Sequence, residues 1–279
     1  MRGAETLQIR LFKHHVFKGL VWLLSIALLV PLALVLWHVV ASGAKAIHPS
    51  FFVHVPAPVG EPGGGILNAL IGSAGLVFLA SVLAVPTGIF VGIYLAEYKN
   101  SALAYWVRVC VEVLQGTPSI VVGVVAYVWV VLPMGKFSAF AGSVALALMM
   151  LPVIIRTSEE TLKLIPQTLK EASLGLGVPY YRTLLKVVVP SARVGIVSGI
   201  LLSVARVAGE TAPLLFTAFG SPFVSFNVFK PISSLPLIIF NYATSPYEDW
   251  HTMAWGAALV LVSVIFVLNV STKFFVSRK

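Results

Sequence analysis

The chain has a single cysteine, Cys110, among 279 residues, so no intramolecular disulfide can form and neither CxxC redox chemistry nor a thiolate metal site can be built. Charge is scarce too: 10% of the residues are Asp, Glu, Lys or Arg, against roughly 25% in a soluble domain. The six histidines, His14, His15, His38, His48, His54 and His251, are scattered without ligand spacing, which gives no ground for a metal site. No G-x-x-x-x-G-K-[ST] sequence occurs, because Gly135-Lys136 lacks both the upstream glycine and the following hydroxyl, so ATP has no P-loop on this chain. There is no fixed-period repeat and no basic stretch interleaved with exposed aromatics of the kind that nucleic acid requires. The apolar runs offer no plausible nucleophile and base pair, which argues against an intramembrane enzyme.

What is present is apolar sequence: 58% of the residues, with a mean hydropathy of +0.97. Six segments have the length to cross or nearly cross a hydrocarbon core of about 30 Å. They are 20–41, 66–96, 117–132, 138–155, 194–219 and 253–275. The first run begins only at Leu20 and continues past twenty residues without an A-x-A-like site, the pattern of a retained span rather than a cleaved signal peptide. The second, at 31 residues, is long enough to tilt or to extend into the interface. A tight turn, Pro133-Met134-Gly135-Lys136, joins the third and fourth. One all-α polytopic membrane unit is expected.

The net charge of +9 is an orientation signal. With the N-terminus inside, 15 of the 19 Lys and Arg fall in cytoplasmic segments, including Arg2, Arg108, Arg278 and Lys279, and only Lys45, Lys136 and Lys230 lie outside. That excess places both termini in the cytoplasm, and some of the charge can meet anionic lipid headgroups. The outer connection 42–65 holds Pro56, Pro58, Pro62 and Gly63-Gly64-Gly65, which argues against packed regular structure. The outer connection 221–250 is also proline-rich, with 235–242 expected as a short helix lying at the interface. Tyr98, Tyr105, Trp106, Tyr247, Trp250 and Trp255 read as headgroup anchors. Gly72, Gly75, Gly88, Gly92, Gly195 and Gly199 read as points of close helix approach.

The longest polar stretch, 156–190, reads as helix, glycine turn, helix. Pro166 starts the first helix, and Leu162, Leu169 and Leu176, with Ile165 and Ala172 between them, form one apolar stripe. Gly175 and Gly177 stop that helix, and Pro179 opens a second through Val189. Glu171-Ala172-Ser173, Gly177, Val187, Val189 and Pro190 resemble the cytoplasmic E-A-A loop of ABC importer permeases, with Ser173 at the third position and Val187 and Val189 in place of Ile and Leu. The resemblance implies a coupling helix seated in a groove of a separate ATPase subunit, with Ala172 and Ser173 allowing close approach. Gly177 would permit the sharp turn, and Glu171 would make a charged contact across the interface or cap the turn. ATP and Mg2+ would then belong to the partner ATPase, and this chain would carry no cofactor.

Two ionisable residues in the fifth segment, Arg206 and Glu210, need a reason at membrane depth, where each costs about 3 kcal/mol. Four residues apart, they share one helix face and can neutralise each other as a purely structural pair. Alternatively, the arginine fork suits a tetrahedral oxyanion. A carboxylate beside it would accept a hydrogen bond from protonated phosphate, repel fully ionised sulfate and keep binding weak enough for release. Glu210 as the proton relay of an ion-coupled carrier is a rival reading. The stretch from Arg206 through Gly209-Glu210-Thr211-Ala212-Pro213-Leu214-Leu215-Phe216 to Ala218 resembles the permeases of phosphate-specific ABC importers, as do Gly116-Thr117-Pro118-Ser119-Ile120-Val121-Val122-Gly123 and Leu151-Pro152 through Glu160. The A subunit is matched more closely than its partner C subunit.

That resemblance implies a type I ABC importer permease bundle (MetI-like) within residues 66–279, preceded by a cytoplasmic N-terminus, first span and outer loop in 1–65. It implies a substrate pathway bordered by Arg206, Glu210, Thr211, Pro118 and Ser119. It further implies a second homologous permease, a dimer of ATP-binding subunits, an extracytoplasmic phosphate-binding protein and a place in the inner membrane. Pro118 and Ser119 have a structural reading as well, since proline fits a first helical turn and a serine can satisfy backbone. A permease for another solute is the alternative within the class.

Overall fold

The computed structural model describes residues 2–58, 61 and 63–277; Pro62, Arg278 and Lys279 lie outside the described residues, as does the side chain of Arg2. Five helices are long and apolar enough to cross a membrane, and six if one bent pair is a single span.

Helix α1 (Arg2–Gly43) runs 42 residues, with Pro31 inside it. At about 1.5 Å per residue it is roughly twice as long as the hydrocarbon core is thick. Its side chains are exposed from Ile9 to His38, and it packs against the last span near its end. There His38 meets Trp255 edge to face at 4.7 Å, and a Cβ on Gly43 would lie 2.6 Å from the Trp255 carbonyl oxygen.

The interior is built on α3 (Leu67–Glu97) and α7 (Ala139–Lys163). Small residues allow their backbones to meet. A Cβ on Gly88 would lie 2.7 Å from Ile154 Cγ2, and one on Gly92 would lie 2.5 Å from Ser158 Cβ and 3.0 Å from the Ile155 carbonyl oxygen. Leu76, Ala80, Ala84, Leu146, Met150 and Ile154 fill the seam. Gly72, Gly195 and Gly199 are close approaches as expected, against Ser233, Thr161 and Thr157. Gly75 is not, because a Cβ there would meet nothing within 4 Å.

The third span differs from expectation. The stretch read as a connection holds a 15-residue helix, α4 (Ala102–Gly116), capped by Ser101, whose Oγ accepts from Ala104 N–H at 3.0 Å. At Thr117-Pro118 the chain bends by 108° into the helical run Ser119–Met134. That run begins as α5 (Ser119–Ala126), passes through a π-turn at Tyr127–Val131 and ends as α6 (Leu132–Met134), closed by left-handed Gly135 at φ 65°. Pro118 forces the break, since proline disfavours the α conformation in the residue before it.

The fifth span starts earlier and ends earlier than its hydropathy suggests. After the short helix α8 (Gln167–Gly175), one rod runs from α9 (Tyr180–Thr183) through a π-turn at Leu184–Val188 into α10 (Val189–Ala208). The second helix of the hairpin therefore does not stop at Val189 but becomes the span. Both π-turns end two residues before a proline, Pro133 and Pro190. A proline ring clashes with the carbonyl four residues back, and the i→i+5 turn opens the ladder at that point. Beyond Gly209 come a one-turn helix, α11 (Ala212–Leu215), and an irregular return.

At the end of the bundle where α3 begins, the connections are more ordered than their prolines suggest. α2 (Pro49–Val53) seats a fully buried Phe51, and α12 (Leu235–Ala243) buries Leu235, Leu237, Ile238 and Tyr242 against α3 and the last span, α13 (Glu248–Ser277). α12 is thus the short helix expected in this connection, and its apolar side chains pack into the core.

These contacts make Gly92 and Gly75 an informative pair. Gly92→Ala is expected to destabilise the chain in detergent by about 1–3 kcal/mol, because backbone and Ser158 must shift. Gly75→Ala is expected to be neutral or to stabilise by up to about 1 kcal/mol through helix propensity. Thermal unfolding of the two variants side by side checks the ordering.

Candidate coupling hairpin and substrate pathway

The hairpin is set by local rules. Pro166 caps α8, and Leu176 N–H bonds the Ala172 carbonyl oxygen at 3.2 Å. Gly177 then takes φ +79°, a left-handed conformation that favours glycine. Ser173 turns inward: it is buried, and its Oγ lies 2.9 Å from Thr183 Oγ1 across the turn. It therefore staples the two arms of the hairpin to each other. Glu171 and Ala172 are exposed, and Glu171 makes no hydrogen bond or ion pair among the described residues, so it does not cap the turn.

The stripe expected along the hairpin is not an inward one. Leu162 is buried, but Leu169 and Leu174 are exposed, and Leu164 and Leu176 are 81% and 84% exposed. These side chains thus present an apolar surface outward. Pro190 is exposed beside Leu169, Lys186 and Arg193 on the rod.

Four acids fasten this region, and the sequence reading assigned none of them a role. Glu97, the last residue of α3, accepts from Lys170 Nζ on one oxygen and from the Tyr180 hydroxyl on the other, tying both arms of the hairpin to α3. Behind them lies a cavity of ≈ 860 Å³ bordered by Ser101, Lys163 and Gln167. Glu159 is 2% exposed and accepts from Arg108 Nε at 2.8 Å and from Lys163 Nζ. The same guanidinium donates to the Lys99 carbonyl at 3.0 Å and the Leu95 carbonyl at 2.9 Å, locking the start of α4 to α3 and α7. Arg156 pairs with Glu160 at 2.9 Å and Glu112 at 3.4 Å on an exposed flank. The usable signal was scarcity: with ten acids in the chain, one at a span end calls for a cation.

Two of the motifs expected to form a pathway meet. α5 crosses α11 so closely that a Cβ on Gly123 would lie 2.6 Å from Pro213 Cα. Pro118 and Ser119 stand at the start of α5, Pro118 exposed, and Ser119 makes no hydrogen bond among the described residues. Thr117 satisfies backbone instead, donating to the Val113 carbonyl at 2.7 Å. Thr211 opens α11, its carbonyl accepting from Leu214 N–H at 3.1 Å.

Arg206 and Glu210 do not share a helix. α10 ends at Ala208, Gly209 caps it, and Glu210 lies beyond. Continuing the helix would drive the Pro213 ring into the Gly209 carbonyl. Arg206 is exposed and Glu210 half-buried, and no ion pair joins them among the described residues. No group of three His, Cys, Asp or Glu suited to a metal occurs among the described residues.

The described residues thus form a multi-span helical bundle that carries a braced, outward-facing hairpin. Residues 88–279 match the family model described as binding-protein-dependent transport system inner membrane component, and the chain belongs to that family. It is a multi-pass, non-catalytic inner-membrane component, and membership implies ATPase and binding-protein partners. The chain is 40% identical over 262 residues to the phosphate transport system permease protein PstA of Yersinia pestis, covering 94% of this chain and 86% of that one. It is 38% identical over 283 residues to the protein of the same name from Haemophilus influenzae, covering 100% of both. Among solved structures, the inward-facing MetNI methionine ABC transporter aligns with a TM-score of 0.60 at 22% identity, covering 77% of this chain and 94% of that one. That likeness is one of fold.

Arg108→Ala is expected to lower stability by about 2 kcal/mol, because buried Glu159 loses a charged donor and two backbone carbonyls lose theirs. Arg108→Lys should recover only part of this, since an ammonium cannot reproduce the fork. Unfolding curves of both variants in detergent provide the check.

Proposed function

We propose that the chain is the A-type permease subunit of an ATP-driven importer of inorganic phosphate. The observation that carries the substrate is the set of relatives named as phosphate transport permeases, at 38% and 40% identity over 100% and 94% of this chain. The hairpin and both termini lie in the cytoplasm, an orientation supported by the 15 of 19 basic residues on that side. The permease unit is 66–279, and 1–65 adds a span whose exposed flank meets lipid. The partners are a second homologous permease, a dimer of ATP-binding subunits that holds ATP and Mg2+, and an extracytoplasmic phosphate-binding protein.

The geometry supports a lever. Glu171, Leu169, Leu174 and Leu176 form the surface that seats in the ATPase, while Ser173, Gly177 and Glu97 keep the hairpin rigid. From the hairpin, the unbroken run Tyr180–Ala208 extends over about 43 Å at 1.5 Å per residue to the turn that carries Arg206. Motion imposed on the hairpin therefore reaches Arg206 through a single helix. Arg206, exposed on the isolated subunit, faces the second permease across the pathway and offers its planar donors to phosphate oxygens. Glu210, freed from Arg206 by the break at Gly209, accepts a hydrogen bond from protonated phosphate and repels fully ionised sulfate. Thr211, Pro118 and Ser119 border the same passage.

The test is ATP-driven phosphate uptake by vesicles carrying the full complex. Glu171→Lys is expected to lose ATPase association. Arg206→Ala is expected to assemble normally and lose uptake at least about tenfold, roughly 1.4 kcal/mol. Native-level uptake in Arg206→Ala would remove that residue from the pathway. Uptake that follows the proton gradient instead of ATP would sink the importer mechanism. ATP-driven movement of another solute, with none of phosphate, would overturn the substrate alone.

A further inference from the structure

The hairpin joins the rest of the chain at two covalent points, and each is a place where a helix can bend. On one side α7 ends at Lys163, and the non-helical residues 164–166, with Pro166 last, lead into α8. A proline keeps the residue before it out of the helical conformation. On the other side the rod passes through the π-turn Leu184–Val188 before it reaches α10, and π-turns are common points of helix kinking. A displacement of α8 carried by these two links alone would be taken up partly by bending them.

A third attachment bypasses both. Lys170, in the middle of α8, and Tyr180, at the head of the rod, each donate to one carboxylate oxygen of Glu97, the last residue of α3. Among the described residues, Lys170–Glu97 is the ion pair that joins α8 to α3. The two side chains are 16% and 10% exposed, so water does little to loosen the pair, and breaking it strands a poorly solvated charge. From Glu97, α3 runs 31 residues to the opposite face, about 46 Å at 1.5 Å per residue. There Asn68 Nδ2 donates to the Ser221 carbonyl at 2.6 Å, and Ser73 Oγ accepts from Leu235 N–H at 2.8 Å. No Cβ fits on Gly72, because the Ser233 carbonyl occupies its place. One helix is therefore fixed at one end to the hairpin and at the other to the connection that follows α11.

We infer that Glu97 is a positioning residue for transport: it transmits a displacement of the hairpin to α3 and, through α3, to the connection 221–235, so that the ATPase-facing surface and the outer face move together. The inference rests on the importer reading above, which supplies the ATPase that displaces the hairpin. Two helices then leave the hairpin, α10 by covalent continuity and α3 by charge. A carboxylate suits the second link because its two oxygens take one donor from each arm. The Ser173–Thr183 bond across the turn keeps those donors at a fixed separation.

The experiment uses the full complex in vesicles and measures phosphate taken up per ATP hydrolysed, together with amide hydrogen exchange in 167–183 and 221–235 with and without ATP. Glu97→Gln is expected to keep ATP hydrolysis near the native rate and to lower uptake per ATP about fivefold, the lower end of ordinary coupling between sites. In that variant the ATP-dependent change in exchange should persist in 167–183 and disappear from 221–235, a split that lost stability alone would not produce. Glu97→Lys combined with Lys170→Glu, which keeps an ion pair, should restore most of both readings. Glu112→Gln, which removes a pair on the exposed flank, should leave both unchanged. A native uptake ratio in Glu97→Gln, or loss of the exchange response from both segments, overturns the inference while leaving the importer reading intact. A native complex that moves no phosphate with ATP overturns both. If Glu97→Gln sheds the ATPase on purification, the exchanged pair decides: recovery of the uptake ratio upholds the inference, and failure to recover it overturns it.

Discussion

The approach of α3 to α7 at Gly88 and Gly92 is the contact on which the rest of the molecule hangs. Within lipid there is no hydrophobic gain from pairing two helices, so association depends on packing, and packing depends on backbones that can come close. Once that seam is closed, α3 serves as an axle for both ends of the protein. Its first two turns carry Asn68 and Gly72 against the connection 221–233, and its last residue, Glu97, holds the hairpin. A single helix thereby ties the connection 221–233 and the hairpin into one rigid frame.

The polar interactions divide by position. Buried charges occur where elements must be held at fixed angles: Glu159 beneath Arg108 and Lys163, and Glu97 between Lys170 and Tyr180. Glu171 and Arg206, by contrast, are exposed and make no ion pair among the described residues. A desolvated carboxylate is tolerable only with donors around it, so the braced acids act as joints. The hairpin's leucines stand outward as well: Leu169 and Leu174 of α8 are exposed, and Leu176 just beyond it is 84% exposed.

Much of this was legible in the sequence, and the losses have physical causes. The second span was read to within one residue at each end because its apolar run is uninterrupted. The hairpin was readable because Pro166, Gly177 and Pro179 each impose one backbone outcome. Helix α4 was missed because Arg108, Glu112 and Gln115 interrupt its apolar pattern, and the start of the fifth span was missed because Lys186 and Arg193 resemble loop residues on a hydropathy scale. The break at Gly209 was hidden by four-residue spacing, which suggests a shared face only if the helix continues; Pro213 four residues further on was the overlooked stop signal. The braces at Glu97 and Glu159 join residues 73 and 51 positions apart, a distance at which spacing carries no information.

The π-turn at Leu184–Val188 has a consequence for comparing this chain with its relatives. An α-helix advances about 100° of azimuth per residue, so the one extra residue held in that turn rotates everything beyond it, Arg206 included, by about that angle relative to the hairpin. A relative lacking that residue would keep its fold and its hairpin yet turn its arginine toward a different neighbour. Alignments across this segment should therefore be judged by the phase of the helix, and a single-position gap before Pro190 is a change of facing direction, not a trivial shortening.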